Sequence, residues 1–298
     1  MKNNSQLLAI GLLILLALIW GSSFILIKKG LTVLDSREVG ALRIVSAFIF
    51  LAAAGIINLK KVKRHEWKYL LMVGLAGSLI PSFLFAFAQT RLDSAVVGIL
   101  NALTPLFTII ISVFVYSRSQ GRNAFFGVIA GFVGSVLLIV AGTGGSIQNI
   151  NFYAFFIVLA TVFYGTNLNV TKEHLSGQKA IVITSVSMLL VGPLASVYLF
   201  GMTDFIYKLQ YVRGAWLATS YILILGVFGT ALAMVIFNHI VKLTNPLFTS
   251  SVTYIIPIVA VMWGLLDGEQ LLLLHYLGMA FIILGVYIAN SRRRASSK

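Results

Sequence analysis

The chain contains no cysteine and few charged residues. With no cysteine among its 298 residues, it has neither a disulfide framework nor a thiolate metal site, and it lacks a thiol nucleophile. Charged residues make up 10% of the chain, whereas soluble globular domains carry about 25%. The hydrophobic fraction is 59% and the mean hydropathy is +0.98. This composition excludes a soluble globule and predicts a membrane protein.

Motifs that carry common enzyme chemistry are also missing. The sequence has no Gly-x4-Gly-Lys-Ser/Thr run for phosphate binding and no His-Glu-x-x-His pair for zinc, and its four histidines are scattered. We therefore expect no catalytic residues, no metal and no cofactor. The net charge of +14 could indicate a nucleic-acid partner, but the basic residues lie in short connections between apolar runs rather than on a solvated face. No nucleic-acid partner is expected.

Long apolar runs dominate the chain instead. A helix that crosses a lipid bilayer needs about 20 mostly apolar residues. Ten segments meet this requirement and predict an all-α membrane protein with ten transmembrane helices, which we number spans 1 to 10: 7–27, 38–57, 67–88, 94–115, 123–142, 152–171, 180–200, 215–237, 246–265 and 272–290.

The distribution of basic residues predicts the orientation. Cytoplasmic loops carry an excess of Lys and Arg. With the N-terminus inside, one of the 22 basic residues, Arg43, lies within a span, and the outer side holds only Lys28, Lys29, Arg37, Arg91, Lys208 and Arg213. The other fifteen lie on the inner side. The apolar run at 7–27 is too long for the core of a signal peptide and is interpreted as an uncleaved span. Both termini of this multi-pass protein are therefore predicted to be cytoplasmic, with the chain in the cell's inner membrane.

The sequence repeats itself. Pro105 within Ala102-Leu103-Thr104-Pro105-Leu106-Phe107 returns as Pro257 within Tyr254-Ile255-Ile256-Pro257-Ile258, and Trp20-Gly21-Ser22-Ser23-Phe24 returns as Tyr164-Gly165-Thr166-Asn167-Leu168. The two copies are predicted to be 1–143 and 144–298, with five spans each. Because five is odd, the copies face opposite ways across the bilayer, an arrangement that alternating-access transporters use.

Several of these residues resemble a known family. Trp20-Gly21-Ser22-Ser23-Phe24, Ala41-Leu42-Arg43 and Leu103-Thr104-Pro105 resemble one EamA domain, and Pro257 followed by Glu269 and Gly278 to Gly285 resembles the end of a second. The pairing is typical of the bacterial drug/metabolite transporter superfamily. The resemblance implies a ten-helix carrier with a central cavity lined by spans 1, 3, 4, 6, 8 and 9. The chain departs from the family pattern where Tyr116-Ser117-Arg118 replaces a Glu after span 4, and where span 7 lacks a basic counterpart of Arg43.

Polar residues within the spans are candidates for lining the cavity. A polar side chain in contact with lipid is costly, so such residues are expected to face inward. Combined with nearby aromatic rings they would form an apolar cavity with a few polar anchors, which suits a small amphipathic solute. The predicted cavity residues are Trp20, Ser23, Ser78, Phe85, Asn101, Tyr164, Asn167, Thr230 and Tyr254. Proline kinks a helix and frees a carbonyl group, so Pro81, Pro105 and Pro257 are predicted hinges.

Charged residues near the span ends have open interpretations. Arg43 enters span 2 about one and a half turns from the outer surface, so its side chain can extend outward to water or can pair with an outer acid or a substrate carboxylate. No Asp or Glu lies deep within a predicted span, which disfavours proton exchange through a membrane-embedded carboxylate. Asp93 and Glu269 come nearest and are predicted to lie at the outer surface.

Glycines in spans 5 and 10 predict close helix packing. They are Gly127, Gly131 and Gly134 in the first of these spans and Gly278 and Gly285 in the second. Such small residues let two helices approach closely, either within one chain or across a homodimer.

The sequence as a whole favours a cytoplasmic-membrane carrier that exports small amphipathic metabolites such as amino acids. Two alternatives remain open at this point. One is a carrier of nucleotide-linked sugars or lipid-linked precursors, and the other is a membrane-embedded enzyme or a partner subunit.

Overall fold

The computed structural model describes residues 2–118, 122–141, 152–234, 236–237, 240 and 252–290. The chain has long apolar runs and lacks the alternation of apolar and polar residues that indicates a strand, and these residues are helical almost throughout. The helices α1 to α14 are Lys2–Gly21, Ser23–Gly30, Ser36–Asn58, Trp67–Gly74, Ile80–Ala88, Ser94–Asn101, Thr104–Phe114, Arg122–Ala141, Tyr153–His174, Ala180–Met202, Phe205–Tyr211, Ala215–Ile224, Val252–Leu266 and Leu273–Asn290. Two π-helical segments, Leu75–Leu79 and Leu225–Leu232, continue α4 and α12.

Eight helical segments of the described residues are long and apolar enough to cross a membrane. They correspond to spans 1 to 8, and the shorter helical segments Ile255–Leu266 and Leu273–Ile288 correspond to spans 9 and 10. Large apolar side chains on their outer faces are exposed, as Phe114 and Leu273 illustrate at 82% and 74%. An exposed apolar surface of this extent is stable only in contact with lipid. The prediction of an all-α membrane protein is confirmed. The first residues of predicted span 9, 246–251, and the predicted boundary between 143 and 144 lie outside the described residues.

Contacts between the two halves follow the internal repeat. Span 2 packs against span 7 and span 5 against span 10, so each span contacts its own counterpart in the other half. Span 1 packs against span 9, and correspondingly span 6 packs against span 4. Gly21 makes the first of these contacts close, since a Cβ atom there would lie 2.5 Å from the Cβ of Val259. At Gly165, the counterpart of Gly21, a Cβ atom would lie 2.9 Å from the backbone nitrogen of Thr108. The duplication visible in the sequence is therefore also a duplication of packing.

The interruptions of the helices also recur. The π-helical segments occupy equivalent places in spans 3 and 8, and Gly77-Ser78 in one corresponds to Gly229-Thr230 in the other. Span 4 is broken after Asn101, where the missing N–H of Pro105 leaves the Asn101 carbonyl without its helical donor. The Thr104 hydroxyl donates to that carbonyl instead, at 2.9 Å. Pro257 lies inside α13, and Pro81 is the second residue of α5, which follows the first π-helical segment. Their role as hinges stays a prediction.

The glycines of spans 5 and 10 allow a close contact between these two helices within the chain. A Cβ atom on Gly134 would lie 2.7 Å from the carbonyl oxygen of Gly278, and one on Gly285 would lie 2.6 Å from that of Gly127. Adding even a methyl group would force these two helices apart. Since this surface is already buried within one chain, these glycines give no reason to expect a homodimer, which stays an untested prediction.

Two turns that follow matching spans use left-handed backbone. Gly268 after span 9 has φ +83°, and Ser117 after span 4 has φ +49°. Only Ser117 among the described non-glycine residues has a positive φ. A side chain is strained in this conformation, so Ser117 occupies a place that favours glycine. The connection between spans 7 and 8 contains the short helix α11, on which Tyr207 and Tyr211 are exposed, as expected for a segment at the membrane interface.

Candidate substrate cavity and its two ends

A cavity with two adjoining compartments is lined by residues of both halves of the chain. The compartments measure about 130 Å³ and 110 Å³, and Trp20, Arg43 and Tyr164 line both of them. The larger is the polar compartment, whose other lining residues are Ile44, Val73, Gly77, Ser78, Asn167, Thr184, Ser187, Met188, Gly229, Thr230 and Met234. The smaller is the apolar compartment, whose other lining residues are Ser23, Phe24, Ile27, Phe85, Asn101 and Ile256.

The structure brings eight of the nine predicted cavity residues together. The polar compartment receives Ser78, Asn167 and Thr230, the apolar compartment receives Ser23, Phe85 and Asn101, and Trp20 and Tyr164 lie between them. The side chain of the ninth, Tyr254, lies outside the described residues. That these residues bind a substrate stays a prediction, but their convergence on one cavity is a property of the structure.

Spans 2 and 7 also contribute to the cavity wall. Arg43 and Ile44 come from span 2, and Thr184, Ser187 and Met188 come from span 7. The family resemblance implies walls from spans 1, 3, 4, 6, 8 and 9 only, so these residues were missed. A signal existed in the sequence, because Thr184-Ser185-Val186-Ser187 is a polar run within an apolar span.

The π-helical segments form two matching parts of the wall. Gly77 of span 3 faces the side chain of Asn167 from span 6. A Cβ atom on Gly77 would be 2.7 Å from the Asn167 Cγ. Gly229 of span 8 faces Ser23 from span 1, and a Cβ atom on Gly229 would be 3.2 Å from the Ser23 Oγ. The indole N–H of Trp20 donates to the carbonyl of Gly229 in the second π-helical segment, at 3.1 Å.

Arg43 lies in the cavity wall rather than at the outer surface. Its guanidinium approaches the hydroxyl of Tyr164, and its side chain is only partly exposed. Among the described residues no carboxylate lies within 4.0 Å of it, because Glu38 pairs with Lys208 while Asp267 and Glu269 pair with Lys28. No outer acid pairs with Arg43 among the described residues, while extension to water and pairing with a substrate carboxylate stay predictions.

Several polar atoms of the cavity wall are buried and have no hydrogen-bond partner among the residues that the structure describes. They are the Oδ1 atoms of Asn101 and Asn167 and the hydroxyl oxygens of Ser187 and Thr230. Buried polar atoms are almost always paired, because an unpaired one costs about 1–3 kcal/mol. Acceptors and donors thus face a shared space that a polar solute can enter.

A network of ion pairs joins the two halves near the ends of spans 1, 4 and 9, at what we call the Glu269 end. Lys28 Nζ lies 2.8 Å from Glu269 Oε1 and 2.9 Å from Asp267 Oδ2, and Lys29 pairs with Asp267. Glu269 also accepts hydrogen bonds from the Ser94 N–H (2.8 Å), the Ser94 hydroxyl (2.7 Å) and the Ala95 N–H (3.0 Å). A carboxylate at a helix N-terminus satisfies N–H groups that lack helical acceptors. Glu269 therefore links spans 1 and 4 of the first half to the second half.

The Glu269 side chain is 1% exposed, so it is buried in contacts between the halves rather than exposed at the surface, and its place on the outer side stays a prediction. Burial disfavours its ionised form, but hydrogen bonds from Lys28, Ser94 and Ala95 outweigh burial and hold its pKa below the ordinary value. The pKa of Asp267 is also lowered, by hydrogen bonds from Lys28 and Lys29. Asp93 is exposed as predicted, and its pKa is raised by partial desolvation and by the nearby charge of Glu269. Both acids that bridge the halves are therefore ionised at neutral pH.

A second pair at the same end joins span 2 to the connection between spans 7 and 8. Glu38 is fully buried, and its Oε2 accepts from Lys208 Nζ at 2.7 Å and from the Asp35 N–H at 2.8 Å. Asp35 in return accepts from the N–H groups of Arg37 and Glu38 and so caps the N-terminus of α3. This capping box holds the Glu38 carboxylate where Lys208 can reach it.

The opposite end, which we call the Glu173 end, is joined by more exposed groups. Arg118 pairs with Glu173, whose side chain is 41% exposed. Gln178 donates to the Lys61 carbonyl (2.9 Å) and to Glu66 Oε2 (2.8 Å), and the rings of Tyr69 and His174 stack at 3.8 Å.

The fold and this cavity define a polytopic helical membrane protein of the carrier type, built from two copies of a five-span unit. Residues 7–140 and 151–291 each match the EamA-like transporter family, and the chain belongs to that family. It is a transporter and not an enzyme. The predicted resemblance to the drug/metabolite transporter superfamily is confirmed.

Relatives match the chain over almost its whole length. It is 23% identical to the protein described as "Uncharacterized inner membrane transporter YedA" of Escherichia coli (strain K12), covering 97% of this chain and 93% of that protein. It is 24% identical to an "Uncharacterized transporter" of Archaeoglobus fulgidus, covering 92% and 95%. A solved chain described as "Crystal structure of protein" has a TM-score of 0.60 at 17% identity, covering 94% of this chain and 96% of that chain. This last likeness concerns the fold alone.

Proposed function

We propose that the protein is an alternating-access carrier of the inner membrane that exports small amphipathic metabolites such as amino acids. The observation that carries the proposal is the cavity itself, which both halves line and into which unpaired acceptors and donors point. Its walls combine aromatic rings with a few polar anchors, as expected for a small solute that has both characters. Similarity to YedA, an inner membrane transporter by its description, supports the location.

Transport requires that the two ends open in turn. The contacts that must break at one end are the pairs of Lys28 with Asp267 and Glu269 and of Lys208 with Glu38. At the other end they are the Arg118 pair with Glu173 and the hydrogen bonds of Gln178. Because the halves are related by duplication, rocking one against the other exchanges which end is closed. The excess of basic residues predicts that the Glu269 end faces outward.

Flux into proteoliposomes tests the proposal. With a panel of labelled amino acids, we expect at least one to exchange across the membrane, and Asn101→Ala or Tyr164→Ala to reduce that flux about tenfold or more. The matched control is Tyr287→Ala, because Tyr287 is 63% exposed on span 10 and does not line the cavity. Full flux in both cavity variants, with folded protein in the membrane, would count against the assignment of the cavity.

A further inference from the structure

We propose that Arg43 selects the charge of the solute by binding a single carboxylate group where the two compartments meet. This inference rests on the proposed function and deepens it, since it names the substrate class as amphipathic molecules with one anionic group. The three following observations support it.

Among the described residues, Arg43 is the one side chain in the cavity wall that carries a full charge. Neither compartment is lined by Lys, Asp, Glu or another Arg among the described residues. A partly buried guanidinium without a counter-charge is unfavourable, and the cost is removed when a ligand carboxylate supplies that charge. The planar guanidinium forms two parallel hydrogen bonds to a carboxylate, which makes Arg suited to this role.

Hydroxyl groups beside Arg43 add donors for the same anion. Tyr164 lines both compartments with Arg43. Ser187 is 1% exposed, lines the polar compartment and has no hydrogen-bond partner in the protein for its hydroxyl. The Oδ1 atoms of Asn101 and Asn167 are unpaired acceptors, and they suit a donor group elsewhere on the solute.

The apolar compartment limits how many charges the solute can carry. Beyond Arg43, its other polar lining residues, Ser23 and Asn101, are uncharged. Phe24, Ile27, Phe85 and Ile256 supply an apolar wall that accommodates an aliphatic or aromatic part of a molecule. Span 7 offers Thr184 and Ser187 in place of a second cation. A nucleotide-linked sugar or lipid diphosphate would bury additional negative charge without a partner, which disfavours that alternative.

The test compares carboxylates with their uncharged amides. Thermal unfolding of the full-length protein in detergent is measured with acetate, 4-methylpentanoate and benzoate, and with acetamide, 4-methylpentanamide and benzamide, at matched ionic strength. A ligand that binds only the folded protein raises its unfolding temperature. We expect the carboxylates to stabilise the wild-type protein more than the amides, with apparent affinity at least about tenfold higher.

Two variants and one control assign this preference to a residue. Arg43→Gln should remove the difference between carboxylate and amide, whereas Arg43→Lys should retain part of it. Arg213→Gln removes one positive charge from an exposed position outside the cavity and should leave the difference intact. Equal stabilisation by carboxylates and amides in the wild-type protein would overturn the inference, whether or not the variants fold. The same preference in Arg43→Gln as in the wild type would also overturn it.

Flux measurements separate this inference from the proposed function. A carboxylate preference that depends on Arg43, combined with no flux for any amino acid, would leave the binding assignment standing and reject amino-acid export. Flux of a carboxylate solute that Arg43→Gln leaves unchanged would leave the carrier standing and reject the role of Arg43.

Discussion

The two ends of the cavity are closed by different chemistry although the two halves of the chain share one plan. At the Glu269 end the ion-paired carboxylates of Glu269 and Glu38 are 1% and 0% exposed, and they accept four and two hydrogen bonds. At the Glu173 end the ion-paired carboxylate of Glu173 is 41% exposed, and the buried Glu66 accepts from the uncharged amide of Gln178 across the halves. Exposed ion pairs contribute about 0–1 kcal/mol, whereas loss of one partner from a buried pair costs several times more.

The difference arises where the repeats have diverged. Glu269 follows the left-handed turn after span 9 and reaches the N-terminus of span 4. After span 4 the matching turn carries Ser117 and Arg118 instead, and Arg118 pairs with Glu173 at the surface. A fully symmetric carrier would close both ends equally well. This chain is expected to favour closure at the Glu269 end, so that opening this end is the more costly step.

Glu269→Gln should have the largest effect on stability. The amide cannot balance the charge of Lys28. Its NH2 group is a donor and would replace one of the two oxygens that now accept from Lys28 and from the N–H groups of Ser94 and Ala95. Because Lys28 is 32% exposed, we expect a loss of about 2–4 kcal/mol, somewhat less than for a fully buried pair. Thermal or denaturant unfolding in detergent measures it.

The matched control is Glu173→Gln at the other end. It removes a carboxylate from an exposed pair and should cost less than about 1 kcal/mol. If both substitutions lower the stability equally, the contrast between the two ends does not exist.

Lys208→Gln should have an intermediate effect. It leaves the buried Glu38 carboxylate with the Asp35 N–H but without its cation, and an unpaired buried acceptor costs about 1–3 kcal/mol. The exposed Arg213, in the same connection, serves as the control through Arg213→Gln. The same unfolding assay applies, and equal values for the two variants would mean that Lys208 contributes nothing beyond its charge.

Mild acid should have the smallest effect. The folded protein holds the pKa values of Glu269 and Asp267 below their ordinary values of 4.5 and 3.8, so their contribution to stability is present above those values. It is lost as the pH falls through the lower pKa values of the folded protein. Unfolding temperatures should therefore show no loss from this network between pH 8 and pH 5 and a steeper decline below pH 4 in the wild type than in Glu269→Gln. A Glu269-dependent loss already at pH 6 would contradict the assigned pKa direction.

Much of this architecture can be predicted from the sequence. Hydropathy and the returning Trp20 and Pro105 motifs predict the spans and the duplication, because membrane helices need long apolar runs and duplication preserves their order. The cavity residues follow from the cost of polar groups in lipid, which makes Asn101 and Asn167 face inward.

The remaining features depend on contacts between distant segments. Glu269 lies in a short connection, and nothing local shows that Lys28 and the N-terminus of span 4 converge on it, so it reads as a surface residue. The place of Arg43 depends on distant contacts for a similar reason. Its depth in span 2 leaves several orientations open, and only the packing of span 6 brings Tyr164 beside it in the cavity wall.

The most direct test of a cavity that opens alternately uses the absence of cysteine, because a single introduced thiol can be labelled without background. Ser78→Cys places that thiol in the polar compartment, and a membrane-impermeant maleimide is added to one side of sealed vesicles at a time. We expect labelling from both sides, and Glu269→Gln should raise the rate from the Glu269 side by about tenfold, as a loss of about 1.4 kcal/mol of closure predicts. Labelling from one side only, at the same rate in both backgrounds, would contradict the account.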